Sequence, residues 1–124
     1  MYAPALETYH RQRVMTASPM QLVRMLYDAM LQSAGDAKSA LEQRDYQTAH
    51  NHLIHAQRVV EELDRAVDED KGGEIAGNLR RLYDFLVQRL MYVNITKSLS
   101  ALEDTEAVME AMYEMWSSVP GWEL

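Results

Sequence analysis

The chain has 124 residues, 12 Lys and Arg against 19 Asp and Glu, a net charge of −7 and no cysteine. That length suits one domain with its own core, and the absence of Cys excludes disulfides, zinc–thiolate sites, iron–sulfur clusters and thiol nucleophiles. The acidic balance argues against a nucleic-acid partner. No apolar run reaches the roughly 18 residues of a membrane span, and Met1-Tyr2-Ala3-Pro4 does not open a signal peptide, so a cytosolic chain without membrane insertion is expected.

Residues 1–17 come first. They are too short and too weakly patterned for a full helix, yet Tyr2, Leu6, Tyr9 and Val14 give them apolar character. We read them as a mobile N-terminal segment or short extra helix lying against the rest. Ser18-Pro19-Met20-Gln21 then combines a capping Ser, Pro at N1 and Gln at N3. It predicts a helix over about 19–43, with Leu22, Met25, Leu26, Ala29, Ser33, Ala37, Ala40 and Leu41 as its core stripe. Val23, Tyr27, Met30, Leu31 and Ala34 form a second apolar row beside it.

Asp45 is placed to cap a second helix, whose stripe is Ala49, Leu53, Ala56, Val60, Leu63 and Val67. Gly72-Gly73 is expected to stop it. A third helix opens at Glu74 with Ile75, Leu79, Leu82, Leu86, Leu90 and Val93 as its seam and Tyr83 alongside. Asn94–Ser100 reads as a turn, with Ser100 or Ser98 as the next cap. Leu102, Val108, Met109, Met112 and Trp116 carry the last seam, interrupted by Thr105, to about residue 118. Pro120-Gly121 ends it.

Only three Pro and five Gly punctuate the chain, far too few for a strand-rich domain. The expected fold is all-α: an antiparallel four-helix bundle over residues 18–119, preceded by the segment 1–17 and followed by a C-terminal tail 120–124.

Charge and methionine are both unevenly placed. Residues 1–60 carry six basic and five acidic side chains, residues 61–124 six and fourteen. The acidic half reads first as a solvated face that keeps the chain in solution, and alternatively as a surface that steers a basic partner or excludes wrong ones. Of the nine Met, Met15, Met20, Met25 and Met30 sit in or just before the first helix and Met109, Met112 and Met115 in the last, and Met adapts to irregular or varied surfaces. With two apolar rows on the first helix, the bundle has more apolar surface than its core requires. The surplus is expected on the first and last helices, as a groove for a partner helix.

An active site is not legible. His52 and His55 share a helix face at metal-ligand spacing but lack a third ligand. Glu7-Thr8-Tyr9-His10 is a single Glu-x-x-His, where di-iron bundles need two. His55, with Arg58 nearby, supports an alternative reading as a histidine phosphotransfer bundle. A structural dimer covering its own apolar face is a third. No enzyme activity, cofactor or metal is expected.

Thr16-Ala17-Ser18-Pro19-Met20-Gln21-Leu22-Val23-Arg24-Met25-Leu26-Tyr27-Asp28 resembles the T-A-S-P-x-Q-L-[IV]-x-M-L-[YF]-D signature of FliS, the flagellin export chaperone family. A second block is similar to the family's E-K-G-G-E-I-A-x-N-L…L-Y-D-Y…R-L run: Asp70-Lys71-Gly72-Gly73-Glu74-Ile75-Ala76-Gly77-Asn78-Leu79, Leu82-Tyr83-Asp84-Phe85 and Arg89-Leu90. Asn94 and Trp116 match later family positions. Ala29, Val93 and Lys97-Ser98 depart from the pattern.

The resemblance implies a cytosolic helical bundle that binds the C-terminal segment of flagellin, prevents premature polymerisation and supports delivery to the flagellar type III export gate. It extends to an anti-sigma factor and a regulatory co-chaperone as further partners. It also implies that the N-terminal segment occupies part of the groove while the client is absent. By family position and by place on the helices, the flagellin-binding residues are expected to be Tyr9, Val14, Leu22, Met25, Leu26, Ile54, Tyr83, Leu86 and Asn94.

Overall fold

Helix boundaries follow the caps. In the computed structural model, which describes residues 18–123, the Ser18 Oγ accepts from the Gln21 amide at 3.2 Å, and the Ser18 amide donates to Gln21 Oε1 at 3.0 Å. This reciprocal pair, with Pro19 at N1, starts α1 (Pro19–Glu42). Asp45 caps α2 (Tyr46–Arg65) by accepting from the Thr48 amide, and Asp68 caps α3 (Glu69–Thr96) through the Lys71 amide. Ser98, not Ser100, caps α4 (Leu99–Ser117) by accepting from Ala101. No strand occurs among the described residues.

Short connections fold the helices back on one another. α1 packs on α2, α2 on α3, α3 on α4, and α4 returns to α1, so α1 and α3 lie on one diagonal and α2 and α4 on the other. This is the antiparallel four-helix bundle that the spacing predicts. α1 and α2 make the most extensive seam. Buried Ala34, Ala37, Ala40, Ala49 and Ala56 suit a close approach of their axes, since interaxial distance follows side-chain size.

The inward faces differ from expectation in phase. In α1 the core draws on both rows: Ser33, Ala37, Ala40 and Leu41 of the expected stripe and Tyr27, Met30 and Ala34 of the second row are buried, while Leu22, Met25, Leu26 and Ala29 are only half-buried. In α2 Ala49, Leu53, Ala56, Val60 and Leu63 of the expected stripe are buried as read, while Val67, the last of it, lies past the helix end and is half-buried. In α3 the core side is Ala76, Leu79, Tyr83, Leu86, Leu90 and Val93, a regular alternation of three and four. Ile75 and Leu82, placed on the seam by sequence, point outward instead. In α4, Thr105 does not interrupt the seam but belongs to it. It is buried, and its hydroxyl donates to the Ala101 carbonyl at 2.8 Å, so no polar group is left open.

Two backbone positions carry unusual geometry. Gly73 (φ 56, ψ −129) breaks the first turn of α3, and a Cβ on Gly72 would meet the Ala76 Cβ at 2.6 Å. The Gly pair therefore kinks the start of α3 and does not end α2, which stops at Arg65. Arg44 adopts φ 58 at the end of α1, where its amide bonds Leu41 O at 3.0 Å and the Asp45 amide bonds Ala40 O at 2.9 Å. This is a Schellman closure with Arg where Gly is usual.

One backbone rule predicts effects of opposite sign at these two sites. Gly73→Ala should cost about 1–3 kcal/mol, because only Gly takes that conformation without strain. Arg44→Gly should stabilise by up to about 1 kcal/mol, by relieving a left-handed non-Gly residue. Urea unfolding of the two variants against the parent chain checks both signs.

Candidate functional site

α1 begins, α2 ends, α3 begins and α4 ends at one pole of the bundle. There Val23, Leu63, Val67, Ile75, Leu79 and Trp116 line an apolar pocket of about 260 Å³. Behind it lies a polar network inside the core. The Tyr27 and Tyr83 hydroxyls are 2.8 Å apart, and Trp116 Nε1 donates to the Tyr27 oxygen at 3.1 Å. The network satisfies groups that would otherwise be costly to bury. Burial pushes the Tyr27 phenol well above its usual range, with neighbouring Tyr83 adding to the shift, and raises Tyr83 too, against the opposing hydrogen bonds from Tyr27 and Trp116.

From this pocket an apolar tract runs along the outer face of α3. Among the described residues, eight large hydrophobic side chains are exposed, and six belong to α3: Ile75, Leu82, Phe85, Met91, Tyr92 and Ile95. Ile75 is 74% exposed and Ile95 81%. Ile75 and Leu82 are seven residues apart, as are Phe85 and Tyr92, so each pair lies nearly on one line while the series as a whole winds around the exposed side of α3 towards Ile95. Beside it, Phe85, Arg89, Asp104, Thr105 and Val108 enclose a smaller pocket of about 210 Å³ between α3 and α4. The Arg89 guanidinium lies 4.9 Å from the Tyr92 ring centroid. The surplus apolar surface thus sits mainly on α3. The first and last helices, where sequence placed it, contribute half-buried Leu22 and Met25 and exposed Met115.

A bundle with this many apolar side chains exposed on one helix suits the holding of another chain. No group of three or more His, Cys, Asp or Glu able to hold a metal occurs among the described residues. No described helix is long and apolar enough to cross a membrane. His55 is exposed, and its Nδ1 is hydrogen-bonded to Ser33 Oγ.

A family model described as flagellar protein FliS matches residues 1–121. The chain belongs to the FliS family. The flagellar secretion chaperone FliS of Salmonella typhimurium is 36% identical over 107 residues, covering 86% of this chain and 79% of that protein. FliS of Escherichia coli, also a flagellar secretion chaperone, is 34% identical over 104 residues, covering 83% and 76%. The flagellar secretion chaperone FliSB of Pseudomonas aeruginosa is 28% identical over 124 residues, covering 96% and 98%.

The expected flagellin-binding residues, with Tyr27 of the first family block, differ in burial. Tyr27, Tyr83 and Leu86 are core; Tyr83 is only 2% exposed. Leu26 packs against that core, while Leu22, Met25 and Ile54 are half-buried. Asn94 sits at the opposite pole. Its side chain meets His50 Nδ1 at about 3.0 Å and accepts from the Lys97 ammonium, tying the start of α2 to the end of α3. Tyr9 and Val14 lie outside the described residues. Sequence reasoning missed Phe85, Tyr92 and Ile95 as surface candidates. The signal was available: α3 has two apolar stripes one residue out of phase, and only one can face inward.

The network yields two predictions. Tyr27→Phe should destabilise more than Tyr83→Phe, by about 2–4 against about 1 kcal/mol, because it strands both the Trp116 indole and the Tyr83 hydroxyl. Denaturant midpoints of the two variants decide the order. Alkali should also unfold the protein. Both phenols have raised folded pKa values, whereas in the unfolded chain they ionise near their ordinary value of about 10. Above that pH the folded state holds more protons, so stability present below pH 10 falls as pH rises. Urea titrations at pH 8 and pH 11 should show the loss.

Proposed function

We propose that this chain is a cytosolic export chaperone whose client is the C-terminal segment of flagellin, held along the outer face of α3. The observation that carries this reading is the concentration of exposed apolar side chains on α3, from the Ile75 pocket past Phe85 to Ile95. Isolated exposed hydrophobics need no explanation, but a series of them concentrated on one helix marks an interaction surface. Past the kink at Gly73, α3 runs on over residues 74–96, so it offers about 35 Å of length to an apolar helix laid beside it.

The division of labour follows from burial. Tyr83 and Leu86 hold the inner face of α3 in place, and the exposed series one residue out of phase makes the contact. Leu22 and Met25, half-buried on α1, extend the apolar surface on the first helix, next to the segment 1–17. In this reading the segment 1–17 competes with the client for that surface, the bundle 18–119 carries the binding face, and the tail 120–124 follows it. An unpolymerised flagellin terminus has an apolar helical face that must be kept from its own kind. The acidic side chains of α4, among them Glu103, Asp104, Glu106, Glu110 and Glu114, keep the loaded pair dissolved until the export gate receives the client.

Phe85→Glu and Ile95→Glu should each weaken binding of a flagellin C-terminal segment about tenfold or more, while folding stability stays within about 0.5 kcal/mol. Isothermal titration paired with thermal unfolding measures both. Full affinity in the double variant would remove the α3 tract from the binding surface.

A further inference from the structure

Beyond α4 the chain does not trail into solvent. The Val119 amide donates to Trp116 O at 2.9 Å and the Trp122 amide to Val119 O at 3.2 Å, with Gly121 at φ +88 turning the backbone. The strap 119–123 therefore folds back over the first turns of α1. Trp122, carried by no helix, is only 3% exposed. Its ring stacks on Trp116 at 6.4 Å and meets Tyr27 and Tyr113 edge-on at 5.7 and 5.2 Å. The Arg24 guanidinium lies 5.9 Å from the Trp122 ring centroid and donates to the Trp122 carbonyl at 3.4 Å, while Gln21 Nε2 donates to the Glu123 carbonyl at 3.3 Å.

Three features show a cover that is seated but weakly fastened. The Trp122 indole N–H is buried without an acceptor, an unmade bond that costs the docked state. The two side-chain bonds from α1 to the strap are both long, and both go to strap carbonyls. The slot also continues into an open groove between α1 and α4, lined by Asp28, Leu31, Gln32, Gly35 and Tyr113. Nothing lies within 4 Å of the space where a Gly35 Cβ would stand. A partner backbone can approach closely there.

We propose that residues 119–123 are a built-in occupant of a second client groove, and that Trp122 leaves its slot when the client arrives. This rests on the chaperone reading. The incoming segment is an amphipathic helix of the client, with a large apolar or aromatic side chain that takes the place of the indole. Tyr27, Tyr113, Trp116 and Arg24 then cover that side chain as they covered Trp122. The Arg24 donor that held the Trp122 carbonyl becomes available to an acceptor on the client. Exchanging one apolar cover for another keeps the slot dry both before and after loading.

A disulfide lock tests this. A Cβ on residue 121 would lie 3.6 Å from the Met20 Cβ, within the span of about 3.5–4.5 Å that a disulfide bridges. The chain has no other cysteine. In a Met20→Cys/Gly121→Cys chain, oxidation should close the strap permanently. Reduction should free it, helped by the strain of a side chain at a positive φ. Titrated with a flagellin C-terminal segment, the oxidised form should bind at least tenfold more weakly than the reduced form. The reduced form should bind at least as tightly as the parent. Deletion of residues 119–124, with helical circular dichroism retained, should raise affinity severalfold.

Equal affinity in the two redox states overturns the proposal, as does tighter binding by the locked form or failure of the bridge to form under oxidation. If the parent chain itself does not bind the segment, the chaperone reading falls and takes this proposal with it. Binding by the parent with no difference between locked and released forms defeats the strap alone.

Discussion

One hydrogen bond crosses the bundle on its diagonal, between the Tyr27 hydroxyl on α1 and the Tyr83 hydroxyl on α3. Helices on a diagonal share no ridge-and-groove face, so little else sets their relative rotation. Two phenol oxygens buried in the core must find one another or lose their hydrogen bonds. Their meeting fixes the phase of α3. Once Tyr83 points inward, Ala76, Leu79, Leu86, Leu90 and Val93 follow it at spacings of three and four. Ile75, Leu82, Phe85, Tyr92 and Ile95 must then face out. The outer tract is thus the necessary complement of an inner polar contact. Trp116 brings α4 into the same bond network.

Much of the fold was legible because local rules agree with the tertiary outcome. The Ser18 capping box, the Asp45 cap and the α2 stripe need only spacing and side-chain chemistry, and all three stand in the structure as read. The phase of α1 and α3 was harder. Both helices carry two apolar rows, and periodicity cannot rank them. The choice in α3 rests on a partner for a Tyr hydroxyl, a long-range fact invisible in the helix itself. Thr105 misled for a related reason: a polar residue within a seam reads as an interruption unless its bond to the carbonyl four residues back is known. Trp122 lies beyond the last periodic residue, where no pattern announces burial. Of the candidate site, the family blocks located the right helices but not the outward side chains, because the blocks are largely core.

Methionine has divided roles. Met30, Met109 and Met112 are buried, where an unbranched thioether fills uneven space between helices. Met91 and Met115 are exposed on α3 and α4. The acidic excess has a local signature at Glu106: burial and neighbouring Glu110, Glu103 and Glu42 raise its pKa, and Lys38 opposes them. Lys38 also pairs with Glu103 at 3.4 Å, a half-exposed contact that organises the charge more than it stabilises the fold.

The connections between helices have a mechanical consequence. Only residues 43–45, 66–68 and 97–98 join the four helices, so the bundle cannot hinge open like a book around a guest. Anything it carries must be taken up on its outside and can be stripped from its outside. A guest laid lengthwise and drawn from one end gives up its contacts turn by turn. Each step then works against a fraction of the total adhesion, and the carrier is left folded for another round.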